Sequence, residues 1–335
     1  MASRIDPIWW SLAEPMADTI EHELAKPKHR ERWKYTPAAK AMVLVPSLTH
    51  QSNARAAPDI DLVAQIENAP EALTPFMRGH ELTTTVLHDG QSLALEDHLG
   101  PLLVRISPKA SVSITRSVSR PCSFIWIDVQ DGAQARISLN ALDQTSFWDS
   151  LNLVIRKDAQ ATLDLHNLGG PLARQDIQTQ CIASGAELTI NSAASVMPGM
   201  HLDQQITVQH QAPHTTSQQR FHTTGSDKSK ITFNGRIHIH KDCPGVGAHL
   251  SNKNLALRES TIINTKPELE IYTDDVACSH GATVGALDPA ELFYCISRGI
   301  PPEQAKQMLS LAFLNVSSAG PLSEAAFNEF QRVLT

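Results

Sequence analysis

A cysteine and a histidine two residues apart, Cys278 and His280 in VACSHG, are the pair with the most chemistry in this sequence. Residues two apart on an extended strand face the same side. If Leu269 to Cys278 is a strand, Cys278 and His280 project toward one point, with Asp274 further along that face. That offers one thiolate and one imidazole to a single metal. Iron in iron-sulfur clusters is held mainly by thiolates, with imidazole as a substitute that raises the potential. Two ligands do not close a four-coordinate site, so such a centre needs donors from elsewhere. The plainer alternative is a buried thiol beside a hydrogen-bonded histidine.

A second group surrounds Cys243 in RIHIHKDCPGVGAHL, where His238 and His240 alternate onto one face and His249 follows. It reads either as a metal site or as solvent-facing histidines. The adjacent acids Asp274 and Asp275 point to opposite faces of a strand and cannot flank one bond as acid and base. None of GxxxxGK[ST], GxGxxG, HExxH or GxSxG occurs, so no nucleotide is expected to bind here. The five cysteines, Cys122, Cys181, Cys243, Cys278 and Cys295, are odd in number and widely spaced, the pattern of reduced thiols in the cytoplasm. A formal charge of -7 without a Lys/Arg block argues against a nucleic-acid or anionic-membrane partner. The opening residues MASRIDPIWW lack the pattern of an export signal, and no uninterrupted apolar run is long enough to span a bilayer.

The elements that must position these residues change in texture along the 335-residue chain. Ile8, Trp9, Leu12, Met16, Ile20 and Leu24 recur at helical steps. Pro58, Pro70 and Pro75 then break the periodicity, although VLHDG (Val86 to Gly90) reads as a strand entering a turn. Residues 1–100 are therefore expected to form an N-terminal helical and mixed region. From about Leu102 the chain becomes short alternating runs rich in Ile, Val and Thr. Three runs follow a similar turn: DGAQARISL, KDAQATLDL and SGAELTI, aligned on Ala133, Ala159 and Ala186, with a weaker copy at Gly225 to Phe233. Strand-and-turn repeats of that size suggest stacked rungs of a β-solenoid, since one unit cannot bury its apolar face alone. A two-sheet sandwich is the competing fold. We assign 101–285 to this core and 286–335 to a helical subdomain. In that subdomain Asp288 is the N-cap, Pro289 occupies N1 and Gly299 is the stop, with further helices over Pro301/Pro302 to Phe313 and Leu322 to Val333. Leu292, Phe293, Ile296, Met308 and Phe313 are many apolar residues for so small a cap, and some are expected to serve a partner.

The segments NTKPELEIY (Asn264 to Tyr272), CSHGATVG (Cys278 to Gly285) and SRGI (Ser297 to Ile300), together with WKYTP (Trp33 to Pro37), resemble the SufB/SufD family of iron-sulfur cluster assembly scaffold proteins. The likeness covers roughly residues 217–312 and WKYTP, and its pattern is of the SufD type. Gly281 follows the motif histidine where SufB has a glutamate, and Thr261 stands near the position of the SufB scaffold cysteine. Cys295 in FYCISRGI leans the other way. The resemblance implies a mainly β fold, a right-handed parallel β-helix core with small terminal regions. It also implies a cytoplasmic, non-enzymatic subunit that pairs with a SufB-like paralogue and docks a SufC-like ABC-type ATPase through its C-terminal helices. A transient iron-sulfur cluster would be shared across the interface through His280, with Cys278 beside it; a homodimer is the alternative pairing. From another class, a β-helix enzyme acting on carbohydrate would expect aromatic and carboxylate residues along one face, yet aromatics are only 5%. A structural solenoid stacking end to end is disfavoured by the helical cap.

Overall fold

The computed structural model describes residues 83–95, 101–117, 122–315 and 324–334. The expected helix over Ile8 to Leu24 and the WKYTP motif lie outside the described residues.

Sixteen strands follow one another: β1 (Thr83–Leu87), β2 (Ser92–Ala94), β3 (Pro101–Ile106), β4 (Ser111–Ser117), β5 (Cys122–Val129), β6 (Gln134–Ala141), β7 (Phe147–Ile155), β8 (Gln160–Asn167), β9 (Ala173–Cys181), β10 (Glu187–Val196), β11 (His201–His210), β12 (Thr216–Gly225), β13 (Lys230–Ile239), β14 (Val246–Ala256), β15 (Ile262–Ile271) and β16 (Val276–Gly285). Odd-numbered strands form one eight-stranded sheet in order β1 to β15, and even-numbered strands form the other, β2 to β16. Every pairing between these strands is parallel and skips one strand, as β10 pairs with both β8 and β12. The chain thus crosses from sheet to sheet at each step, which is a β-solenoid and not a sandwich of hairpins. Among the described residues its sheets begin at Thr83, so the expected boundary at residue 101 falls inside the solenoid: β1 and β2 are too short to show an alternation of their own.

The core lies between the sheets, and each inward position repeats from rung to rung. Ile114, Ile137, Leu163, Ile190, Gln219 and Leu250 are register neighbours in one such column, all buried. Burial of a Leu or Ile side chain contributes about 1.5–3 kcal/mol, which is why the inward register is strongly specified.

The alanine repeat has a backbone cause. Ala133, Ala159 and Ala186 are each fully buried and follow a left-handed residue, Gly132 (φ 69°), Asp158 (φ 53°) and Gly185 (φ 76°). The amide of each left-handed residue donates to the next rung's corner: Gly132 N to Lys157 O at 2.8 Å, Asp158 N to Ser184 O at 3.1 Å and Gly185 N to His214 O at 3.1 Å. His214, Gly245 and Asp275 continue the column with positive φ. The weaker copy at Gly225 to Phe233 belongs to the opposite corner, between β12 and β13, with Ser229 buried in the turn. Gly185 is the tightest point, because an added Cβ would lie 2.2 Å from Asp158 Oδ1. Gly185→Ala is expected to destabilise by roughly 1–3 kcal/mol, read as a lowered urea midpoint; an unchanged midpoint would contradict the corner argument.

The solenoid interior is not wholly apolar. His210, at the end of β11, faces inward and is held by Thr215 Oγ1 (2.7 Å) and Ser217 Oγ (2.9 Å). Burial lowers its pKa to about 4. The unfolded chain, with a histidine near 6.5, binds the extra proton between these values, so stability falls as pH drops from about 6.5 to about 4. The expected loss is roughly 3 kcal/mol. His210→Gln should flatten that stretch of a stability-against-pH curve measured by chemical denaturation; a curve parallel to wild type would refute it.

Three helices follow: α1 (Pro289–Ser297), α2 (Pro302–Asn315) and α3 (Glu324–Val333). Asp288 caps α1 by accepting from Ala290 N at 2.8 Å, and Gly299 takes φ 86° after its end, as expected from sequence. Helix α2 packs on the outer faces of β10 and β12, where Leu311, Leu314, Ala326 and Phe330 close over Leu168 and Ala193. His222 on β12 donates from Nδ1 to the Phe313 carbonyl at 2.6 Å and stacks on its ring, centroids 4.7 Å apart. No helix among the described residues is long and apolar enough to cross a membrane.

Candidate functional site

Strands β15 and β16 are the last members of their sheets, so the solenoid ends in two edges of ten residues each. Each pairs on one side only, with β13 and β14 respectively. The opposite edge of each carries backbone N–H and C=O groups without a strand partner among the described residues, the arrangement that recruits another chain. Leu269, Val276 and Cys278 pack against the end of the core, and Val284 and Ile271 are exposed.

His280 stands at the end of the inward column that runs through Leu93 and Ile114, directly opposite Leu250. Cys278 ends the neighbouring inward column, opposite Ala248 and beyond Ser217 and Leu188. Both therefore occupy positions that earlier rungs fill mostly with aliphatic residues. With no later rung over it among the described residues, His280 is exposed, whereas Cys278 is half-buried against the core. Their separation is two strand residues, roughly 6.6 Å of rise. Burial pushes the Cys278 thiol up, offset in part by a hydrogen bond with the Ala248 backbone. It is a poor free nucleophile at neutral pH, and a metal that displaces the proton is what would make it a ligand.

The strand expected over Leu269 to Cys278 is two strands. A corner at Tyr272 to Asp275 separates β15 from β16, and Asp275 takes φ 58° there. Asp274 consequently lies in the corner and not on the face shared by Cys278 and His280. The signal was present in the Thr-Asp-Asp run, which is turn chemistry before it is ligand chemistry. Thr261 is also structural: its hydroxyl donates to the carbonyls of Gly225 (3.1 Å) and Ser226 (2.9 Å).

Cys243 and its histidines are not one cluster. Cys243 is buried in the core with its thiol 3.3 Å from Lys241 O, and His249 on the outer face of β14 bonds Ser279 Oγ at 2.9 Å. His238 and His240 do share a face, their ring centroids 4.3 Å apart. Cys181 is fully buried and its thiol is pushed up to about 12 by desolvation, so it is inert. Of the apolar residues expected to serve a partner, Phe293, Ile296 and Met308 are exposed, Leu292 is half-buried, and Phe313 is engaged with His222. Tyr294, 60% exposed, extends the apolar surface of α1. Helical periodicity hid it because a tyrosine there reads as a solvated position.

A parallel β-solenoid whose terminal rung presents a histidine and a cysteine beside two edges that lack a strand partner among the described residues is the class of protein that the fold and site define. The chain belongs to the SufB/SufD family: residues 98–313, more than half of it, match the family described as "SUF system FeS cluster assembly, SufBD core domain". It is 36% identical over 178 residues to the iron-sulfur cluster assembly protein SufD of Escherichia coli K12, a match covering 53% of this chain and 41% of that protein. It is 34% identical over 232 residues to the SufBD family protein slr0076 of Synechocystis, covering 63% and 51%. Protein ABCI7, chloroplastic, of Arabidopsis thaliana is 29% identical over 164 residues, covering 48% and 34%. The chain thus spans about half or less of the length of these relatives. Membership places it among iron-sulfur cluster assembly proteins.

Proposed function

We propose that this chain is a SufD-like, non-catalytic scaffold subunit that pairs through its terminal rung with a SufB-like paralogue and carries a SufC-like ABC-type ATPase on its C-terminal helices. The observation that carries the reading is His280, an exposed imidazole ending a mostly aliphatic inward column beside two strand edges that have no strand partner among the described residues. A partner solenoid docked on those edges would extend the sheets by main-chain hydrogen bonds and cover Ile271 and Val284. It would also face its own donors toward His280. The cluster, the cargo of this assembly, would be built in that seam, with Cys278 beside His280. An imidazole holds iron less tenaciously than a thiolate, which suits a cluster that must be handed on.

Phe293, Ile296 and Met308, exposed on α1 and α2, fit the ATPase contact. Cutting the chain after Gly285 would also uncover Leu168 and Ala193, so a point substitution isolates the contact better. Phe293, 72% exposed, can be changed without loss of core packing. Phe293→Asp is expected to weaken SufC-like binding by about 10- to 100-fold, the loss of one buried aromatic anchor, with β-sheet circular dichroism unchanged. Wild-type affinity would move the contact elsewhere.

The experiment that tests the whole reading is anaerobic co-expression with the SufB-like and SufC-like proteins of the same genome, with stoichiometry by native mass spectrometry. A complex holding this chain and the SufB-like protein together with the ATPase supports it. A homodimer of this chain that carries the ATPase and excludes the SufB-like protein replaces the heterodimer, and failure to bind either partner refutes the reading.

A further inference from the structure

The histidines of the RIHIHKD run take no part in the terminal rung. His238 lies on β13 and His240 immediately after it, on the outer face of the odd-numbered sheet, while His280 ends an inward column of the other sheet. Their rings are tilted 42° with centroids 4.3 Å apart. A solvated surface pair has free choice of tautomer; here each ring has one nitrogen committed to a neighbour.

His238 Nδ1 lies 3.0 Å from Oε2 of Glu270, its direct register partner on β15. An ionised carboxylate only accepts, so Nδ1 carries the proton and Nε2 the lone pair. Arg236 Nη2 is 3.4 Å from the same nitrogen, but its closer contact is to Glu270 itself, so the carboxylate sets the tautomer. His240 Nε2 lies 3.2 Å from Gln209 Oε1, an oxygen that also accepts from Gln211 Nε2 at 3.1 Å. That oxygen cannot donate, so His240 is protonated on Nε2 and its lone pair is on Nδ1. A histidine whose second nitrogen donates to a carboxylate or carbonyl oxygen is the arrangement that orients imidazoles toward a metal.

We propose that His238 Nε2 and His240 Nδ1 form a two-imidazole chelate for a divalent transition-metal ion of the zinc, nickel and copper class, with Glu270 and Gln209 as positioning residues. Two metal–nitrogen bonds of about 2.0–2.1 Å at a tetrahedral angle place the nitrogens roughly 3.3 Å apart, and the two ring centroids lie 4.3 Å apart. The His238 side chain is 21% exposed, so an ion reaches it from solvent and water completes the shell. Cys243 contributes nothing, being turned into the core. No group of three or more His, Cys, Asp and Glu side chains among the described residues is arranged for a metal, so this is an open chelate and not a closed structural cage. An imidazole donor set selects borderline ions over magnesium or calcium.

The test is calorimetric titration of the full chain with Ni²⁺ and Zn²⁺, with Mg²⁺ alongside, and electron paramagnetic resonance at one equivalent of Cu²⁺. A site absent from the folded His238→Ala/His240→Ala double variant is expected, with superhyperfine coupling to two nitrogens. Affinity should fall at least tenfold in His238→Ala and in His240→Ala, and about 10- to 100-fold in Glu270→Gln, while His280→Ala leaves it unchanged. Equal stoichiometry and affinity in the folded His238→Ala/His240→Ala double variant would overturn the assignment. So would Mg²⁺ binding as tightly, or loss of the site in His280→Ala.

Discussion

Arg174→Met is expected to lower the free energy of unfolding by about 3–5 kcal/mol, measured as a drop in urea midpoint. Arg174 is fully buried on the outer face of β9. It donates to both oxygens of Asp176, from Nε at 2.8 Å and Nη2 at 3.0 Å, and from Nη1 to Asp203 Oδ2 at 2.7 Å. Trp148 Nε1 adds a bond to Asp176 at 2.8 Å, and Gln205 Nε2 one to Asp203 at 2.7 Å. The network ties three successive strands of one sheet, β7, β9 and β11. Removing the cation leaves two buried carboxylates facing each other, and the cost of an uncompensated buried charge exceeds that of the missing contacts. Adding Asp203→Ala to Arg174→Met is therefore expected to restore part of the lost stability, a non-additivity that a double-mutant cycle detects. If the second substitution costs as much in the variant as in wild type, the network is not the source of the stability.

The second large effect is on assembly. With the co-expressed partners, His280→Ala is expected to leave the complex intact and to reduce cluster formed per complex by at least tenfold, followed by visible absorbance under anaerobic reconstitution. The separation of binding from cluster yield follows from position. His280 is one exposed side chain at the end of a column, whereas edge pairing would run through the backbone of two ten-residue strands. Cys278→Ser is expected to have the smaller effect, because Cys278 is half-buried and its thiol is held protonated by burial. Equal cluster yield in His280→Ala and wild type would remove His280 from the site. Loss of the complex itself would make it an interface residue.

The solenoid was legible where its corners repeat. Ala133, Ala159 and Ala186 mark the same left-handed turn, each buried directly after it. The repeat faded afterwards because the register step widens from Gln160↔Glu187 to Glu187↔Thr216 and Thr216↔Gly247, and because Thr215 and Val246 replace alanine at the corner. The helical subdomain was legible to its caps, since capping is decided within a few residues of chain.

Charged residues at outward strand positions, Arg174, Asp176 and Asp203, carry no local signal of their burial. Partners 29 residues apart bury them as a network. The same limit governs the terminal rung. The residue types at Cys278 and His280, and their sharing of one strand face, were determined by local sequence, because side-chain period two is a property of any strand. Three further matters were decided by the stacking order of sixteen strands. Asp274 belongs to a corner, His280 ends a mostly aliphatic column, and the edges beside it lack a strand partner among the described residues. Which residue is last in a column is a fact about distant rungs, and no local pattern of apolar and polar residues encodes it.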